Sequence, residues 1–334
     1  MGGGGSEYYD RDVSVARKLS SGVSTFAQEQ MSRSVLSDDL LPFERKLVSA
    51  HRNPLVYVYD ITGSMGTLPK LIFDKMPMIA GQIVEQKYLE DPDVSLAAVG
   101  DVTSDRGPLQ VCDFSVIKSL DPWLQKIWIE GNGGAQHFES YEFMAYFYAR
   151  CCDMPNVELP ILLFTGDEGF RKQLTGSELK KRFGGQHENV NASVIFAELK
   201  AKFMDNVFLL HRHYGSYGLD SEIVAQWEKV LGKNYVLKLP DDTAIADLTL
   251  GILALVSGKR TLSGYVKDMK NRPLEMGGKK YKPQTQERID QVTEALKPLE
   301  AMLKGRNIQK KKNKPANLVQ SKESAPKKSG GLKV

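Results

Sequence analysis

From Leu55 onward, short apolar runs alternate with stretches of helical periodicity, and the alternation continues to Ser257. Apolar runs of this length bounded by turn formers read as strands buried on both faces, and the amphipathic stretches between them read as covering helices. Six strands are predicted: Leu55 to Asp60, Val94 to Gly100, Leu109 to Phe114, Leu159 to Thr165, Val207 to His211 and Tyr235 to Leu239. Residues 103–108, Thr-Ser-Asp-Arg-Gly-Pro, are rich in turn formers, so strands two and three form an antiparallel hairpin. Every other connection reads as helical. The predicted helices are Leu68 to Tyr88, interrupted near Pro77, then Val116 to Trp128, Ser140 to Cys151, Gly176 to Phe183, Ala192 to Phe203, Asp220 to Leu231 and Thr243 to Ser257. Ile195, Leu199 and Phe203 recur every four residues and place 192–203 among the helices, although Ser193 to Phe196 also reads as a strand. The expected architecture is α/β: a Rossmann-like, open, mostly parallel six-stranded sheet with one antiparallel edge strand and helices on both faces.

Four regions follow from this pattern. Residues 1–49 form an N-terminal arm, partly disordered, with weak helix signals; residues 50–258 are the α/β domain. Residues 259–303 are an extension, irregular at first and then helical from Gln286 to Leu303, with Ile289, Val292, Leu296, Leu299 and Leu303 on a face that packs back on the domain. Residues 304–334 hold ten Lys or Arg against the single Glu323, so +9 of charge lies there and −5 on the rest of a +4 chain. Such a segment buries too little apolar surface to offset its ordering entropy and is expected to be disordered. The basic balance therefore reports a tail, which suits non-specific contact with nucleic acid or an anionic surface. Cys112, Cys151 and Cys152 make neither a disulfide framework nor a zinc cage, no run is long enough for a transmembrane helix, and no signal peptide opens the chain; the expectation is a cytoplasmic protein.

The chemistry concentrates at the end of the first strand, in Leu55-Val-Tyr-Val-Tyr-Asp60-Ile-Thr62-Gly-Ser64-Met-Gly66. A carboxylate and two hydroxyls at two-residue spacing, in a loop entering a helix, can turn toward one point and offer oxygen to a hard cation, Mg²⁺ or Mn²⁺. Residues 130–142 are a glycine-rich loop entering a helix, with His137, Glu139 and Ser140 at the junction. Ile161 to Gly169 ends a strand in Gly166-Asp167-Glu168, on the edge where ligands gather in open α/β sheets.

The first segment resembles the D-x-T-x-S form of the metal-ion-dependent adhesion site in von Willebrand factor A-like domains. The resemblance implies that a second loop supplies a hydroxyl and a third supplies an Asp. Glu139 stands where that family has Thr, with Ser140 one residue off, and Gly166-Asp167 transposes the family's T-D-G. With Gly100-Asp101 to Asp105, Pro108-Leu109-Gln110-Val111 and Glu139-Ser140-Tyr141, residues 50–258 are similar to an intracellular, mostly prokaryotic and phage-type branch of that family. What the resemblance implies is a non-enzymatic protein-binding module whose metal, held by Asp60, Thr62, Ser64, Glu139, Ser140 and Asp167, bridges to an acidic residue of another protein, an AAA+ ATPase among the candidates. Glu139 adds negative charge and makes the site more closed than an adhesion site.

Plainer readings stand beside these. Asp60, Thr62 and Ser64 can cap the following helix; Asp101 and Asp105 serve a hairpin turn as readily as a second metal shell; Glu168, His137 and His211 are rim or structural residues, alternation placing His211 and His213 on one side of a strand end with no Cys or Asp expected near them. Gly2 and Ser6 fit a myristoylation pattern, or the start is a plain flexible leader. Two other functions are consistent with the residues. In a haloacid dehalogenase-like phosphohydrolase Asp60 is the nucleophile and Asp101 and Asp105 belong to a metal motif, although that motif lies early in the chain. In a structural scaffold a metal only stabilises loops.

Overall fold

The computed structural model describes residues 36–130, 137–272, 275–276, 279–280 and 284–312. The sequence-based expectations for residues 1–35, for the glycines of 131–136 and for the tail beyond 312, including the myristoylation pattern at Gly2, lie outside the described residues.

The chain enters through β1 (Leu47–Val48) and then runs β2 (Leu55–Asp60), β3 (Asp93–Val99), β4 (Leu109–Val111), β5 (Ser115–Val116), β6 (Cys152–Asp153), β7 (Ile161–Gly166), β8 (Gln173–Leu174), β9 (Val190–Asn191), β10 (Val207–His211) and β11 (Val236–Lys238). The central sheet has the order β11-β10-β7-β2-β3-β4, with β5 also on β3. All its pairs are parallel except β3 with β4 and β3 with β5. The protein is thus a mixed α/β fold on a mostly parallel sheet. Every residue of β2, β3, β7 and β10 is buried, as parallel strands covered on both faces require.

This sheet has seven strands where six were expected. The edge predicted as Leu109 to Phe114 stops at Val111 and resumes as β5, which takes Val116 from the start of the predicted helix. Between the two pieces Arg45 Nη1 donates to the Val111 carbonyl at 2.7 Å and Nη2 meets Asp113 Oδ1 at 2.6 Å, so a side chain from the arm covers part of the edge. The helix that follows is short, α2 (Asp121–Lys126).

Alternation along β2 divides the packing. Leu55, Tyr57 and Tyr59 point to a core shared with α1 (Leu68–Glu85), α2 and α7 (Ile245–Val256). Val56 and Val58 point to a second core shared with α3 (Tyr141–Arg150), α4 (Gly176–Phe183), α5 (Ala192–Lys202) and α6 (Tyr217–Leu231). Residues 192–203 are helical, which decides between the two readings of that stretch. Helix α1 runs unbroken where an interruption near residue 77 was predicted. Two further corrections concern the ends. Residues expected to be irregular after Ser257 include α8 (Leu262–Lys270), and the final helix, α9 (Gln286–Lys312), passes the boundary set for the disordered tail. Ile289, Val292, Leu296 and Leu299 are buried against α7 and α8, as the periodicity predicted. The arm also joins the domain, since β1 pairs in parallel with β6. No helix among the described residues is long and apolar enough to cross a membrane.

Candidate metal centre

After β2 the chain crosses to β3 on one side, and it returns later to β7 on the other side of β2. The carboxyl ends of β2 and β7 therefore flank the point where connections reverse, the crevice in which open α/β sheets bind ligands. Asp60 ends β2 and Asp167 follows β7; both are buried. Asp60 Oδ1 accepts from the Thr62 backbone N–H at 2.8 Å and from the Thr62 hydroxyl at 2.5 Å. The chain continues through Thr62 Oγ1 to Ser64 Oγ at 3.1 Å, and Ser64 Oγ donates to Asp167 Oδ1 at 3.0 Å. Four side chains from two loops thus form one line of oxygens. The N-cap residues Thr62 and Thr67 make no side-chain bond to the helical turns that follow, while Asp60 takes the Thr62 backbone N–H just before the first of them.

Two residues that the sequence reading did not single out complete the line. Tyr141, at the start of α3, donates its hydroxyl to Asp60 Oδ2 at 2.6 Å. Arg212, just beyond β10, places Nη1 3.1 Å from the Ser64 carbonyl and 3.5 Å from Asp167 Oδ2, while its Nε meets Asp242 Oδ1 at 2.9 Å. Tyr141 also explains the order Gly166-Asp167. A Cβ on residue 166 would lie 1.7 Å from the Tyr141 hydroxyl, so a side chain there and the Tyr141–Asp60 contact exclude each other. The third loop is fixed further by the Trp227 indole N–H, which donates to the Glu168 carbonyl at 2.9 Å.

The second loop divides. Glu139 is buried, its backbone N–H donates to the Gly169 carbonyl at 3.0 Å, and its Oε2 has no hydrogen-bond partner in the structure. The Ser140 hydroxyl instead accepts from the Val102 N–H at 2.8 Å and lies 3.5 Å from Arg171 Nη1, which commits it to the β3–β4 turn. In that turn Asp101 accepts from the Thr103 backbone and hydroxyl and from Arg171 Nη2 at 2.7 Å, and Asp105 accepts from the Asp101 N–H at 2.8 Å. Both aspartates thus do what a hairpin turn asks of them. His137 is exposed and contacts the Tyr214 hydroxyl at 2.7 Å. His211 is buried at the end of β10 with Nε2 2.7 Å from Asp220 Oδ1, so the expectation that no Asp lay near it is corrected: Asp220 arrives from α6.

Electrostatically the site is short of positive charge. Burial, followed by the charge of Asp167, holds the Asp60 carboxyl above its ordinary range, against the hydrogen bonds of Thr62 and Tyr141. Burial raises Asp167 as well, opposed by Ser64 and Arg212. Glu168 is pushed up to about 8 by burial and then by Asp60 and Asp167. Glu139 is raised most of the acids here, by burial and then by Asp60, Glu168, Asp101 and Asp105. Charged carboxylates held this way are costly unless a cation joins them. Among the described residues, no group of three or more His, Cys, Asp and Glu side chains is gathered closely enough to hold a metal ion. The tight cluster is two carboxylates and two hydroxyls.

No family model matches the sequence, and no curated protein does. Among solved structures, the chain is similar to the pilus adhesin SpaC from Lactobacillus rhamnosus GG in its open conformation, with a TM-score of 0.44 and 8% identity over 64% of this chain and 31% of that one. It is also similar to proximal thread matrix protein 1 of the mussel byssus, with a TM-score of 0.38 and 9% identity over 64% of this chain and 49% of that one. The chain spans 31% and 49% of the length of these two structures. These likenesses assign no family.

Proposed function

We propose that the protein is a von Willebrand factor A-like, metal-dependent binding module, non-enzymatic, in which Mg²⁺ held near Asp60, Thr62, Ser64 and Asp167 engages an acidic residue of a partner protein. The observation that carries this reading is the continuous line from Asp60 through Thr62 and Ser64 to Asp167 at the sheet's switch point, with the unpartnered Glu139 and Glu168 Oε2 atoms beside it. An all-oxygen donor set of this kind suits a hard divalent cation that keeps some of its waters. Glu139 and Glu168 contribute charge, and Tyr141 and Trp227 hold the loops in register. Ser140 is left out of the donor set, because its hydroxyl is occupied elsewhere. A bound cation would supply an electrophilic point for a carboxylate, and Asp60, Thr62, Ser64 and Asp167 would hold and orient it.

The phosphohydrolase alternative asks Asp60 to attack a substrate, yet Asp60 is fully buried and both its oxygens accept hydrogen bonds. The arginines that reach the acids, Arg171 and Arg212, are themselves engaged with Asp101 and Asp167. The deciding experiment measures Mn²⁺ binding by electron paramagnetic resonance in the wild type and in Asp60→Ala. Stoichiometric binding lost in the variant, together with partner capture that EDTA abolishes, supports the module. Phosphatase turnover lost in Asp60→Asn, or partner capture unchanged by EDTA, overturns it.

A further inference from the structure

The metal-centre reading leaves one cation of the chain unexplained. Arg212 is the residue after β10, and its guanidinium links three loops: Nη1 to the Ser64 carbonyl and Asp167 Oδ2, Nε to Asp242 Oδ1. The planar fork makes this span possible, which a Lys ammonium on a single stem would not. Asp167 is consequently satisfied on both sides, with Ser64 Oγ on Oδ1 at 3.0 Å and Arg212 on Oδ2. Each carboxylate oxygen keeps a second lone pair, but a cation that takes Asp167 meets the positive charge of the guanidinium beside Oδ2. The guanidinium contact is the weaker at 3.5 Å, the outer limit for a hydrogen bond, whereas the same side chain's contact with Asp242 is 2.9 Å. Asp242 begins the short helical turn, Asp242–Ala244, that leads into α7, and its side chain is partly exposed, so the charge it shares with Arg212 is also in reach of water.

We propose, resting on the metal-centre reading, that Arg212 is the resident counter-charge of the site: a divalent cation binds by displacing the guanidinium from Asp167, and Asp242 retains it. Arg212 thereby selects the class of ligand. A divalent ion brings one more unit of charge than the group it displaces, whereas a monovalent ion brings none, so occupancy is reserved for divalent cations. It also sets the concentration at which the site fills, because the displaced guanidinium stays close and repels the incoming ion.

The test is titration of the full chain with Mn²⁺ by paramagnetic resonance and calorimetry, in wild type, Arg212→Gln and Asp242→Asn, each with and without 150 mM K⁺, and with thermal melts to verify folding. Arg212→Gln is expected to bind Mn²⁺ at least about tenfold more tightly, the scale of removing one unit charge about 6 Å from a divalent ion at the dielectric of water, and to become sensitive to K⁺. Asp242→Asn, which leaves Asp167 as the guanidinium's remaining carboxylate, is expected to bind several-fold more weakly. Opposite signs for the two variants are what a purely structural role does not give. If Arg212→Gln is unfolded, Arg212→Met, which keeps an extended apolar stem and removes the charge, is expected to bind more tightly than wild type. Unchanged or weaker binding in folded Arg212→Gln, or shifts of the same sign in both variants, overturns the proposal while leaving the metal centre intact. A wild type that binds no Mn²⁺ overturns the metal centre, and this inference with it.

Discussion

Gly166→Ala is the most demanding test of the site as described. The added methyl carbon would fall 1.7 Å from the Tyr141 hydroxyl, 2.6 Å from its Cζ and 3.0 Å from its Cε1. The ring cannot retreat easily, because Phe164 and Trp227 pack edge-on against it with centroids 6.1 and 5.2 Å away. Overpacking a rigid core costs about 1–3 kcal/mol. Forcing the hydroxyl away also breaks its bond to the buried Asp60 Oδ2, a further ~1–3 kcal/mol. The expected loss is about 2–6 kcal/mol, read as a fall in Tm on the order of 10 °C and a lower urea midpoint followed by tryptophan fluorescence. Gly215→Ala, where a Cβ meets nothing within 4 Å, is the control and should shift stability by less than about 0.5 kcal/mol. In a Tyr141→Leu background the penalty of Gly166→Ala should shrink to roughly a third, since the two side chains then compete less for one space. A Gly166→Ala protein as stable as the Gly215→Ala control would refute the claim that Tyr141 dictates the residue at 166.

Burial and its acidic neighbours hold Glu139 far above its ordinary pKa, so without metal the wild type must take up a proton to fold at neutral pH; Glu139→Gln removes that cost and in EDTA should be more stable than wild type by about 1 kcal/mol or more, while Mn²⁺ should stabilise it less than wild type. The two signs separate a ligand-field residue from a packing residue. His211 is held below its ordinary pKa by burial, against the pull of Asp220, so the unfolded chain binds the extra proton first as pH falls. Stability is then full above about 6.5 and declines as the pH falls toward the depressed value; His211→Gln should flatten that part of a urea-midpoint profile, and an unchanged slope would count against it. Leu296→Ala, at a site where Leu296 touches Gly251 of α7, should cost about 2–5 kcal/mol if the last helix is part of the fold, and almost nothing if it is only loosely attached.

Strong periodicity made the parallel strands and most helices legible, because continuous apolar runs can be buried only between two layers. What could not be read locally was set by distant partners. The broken edge at β4 and β5 depends on Arg45, some sixty residues earlier, reaching Val111 and Asp113. Helix α8 lacked a clear apolar stripe, yet Leu262, Tyr265 and Met269 share a face that α7 and α9 cover. In the site, Asp60, Thr62, Ser64 and Asp167 were visible as chemistry at strand ends. Tyr141 was visible only as part of a motif, since a tyrosine in an apolar helix reads as core until its hydroxyl is seen to meet Asp60. Arg212 was overshadowed by the two histidines that flank it, although a charged residue directly after a parallel strand lies on the ligand edge of the sheet. Ser140 illustrates the converse: its neighbour in sequence points into the acid cluster while its own hydroxyl belongs to the adjacent turn.

Helix α7 is buried over nearly its whole surface, and part of its covering, α8 and α9, lies after it in the chain. During synthesis, therefore, the sheet and the loops that carry Asp60 and Asp167 are all made before the layer that shields α7 exists. Until residues near 300 emerge, a strongly apolar helix beside Asp242 has no lid, and the nascent chain carries its greatest tendency to stick to other chains in that interval. A ribosome-stalled series of lengths, assayed for chaperone retention, should show release only after α9 is complete.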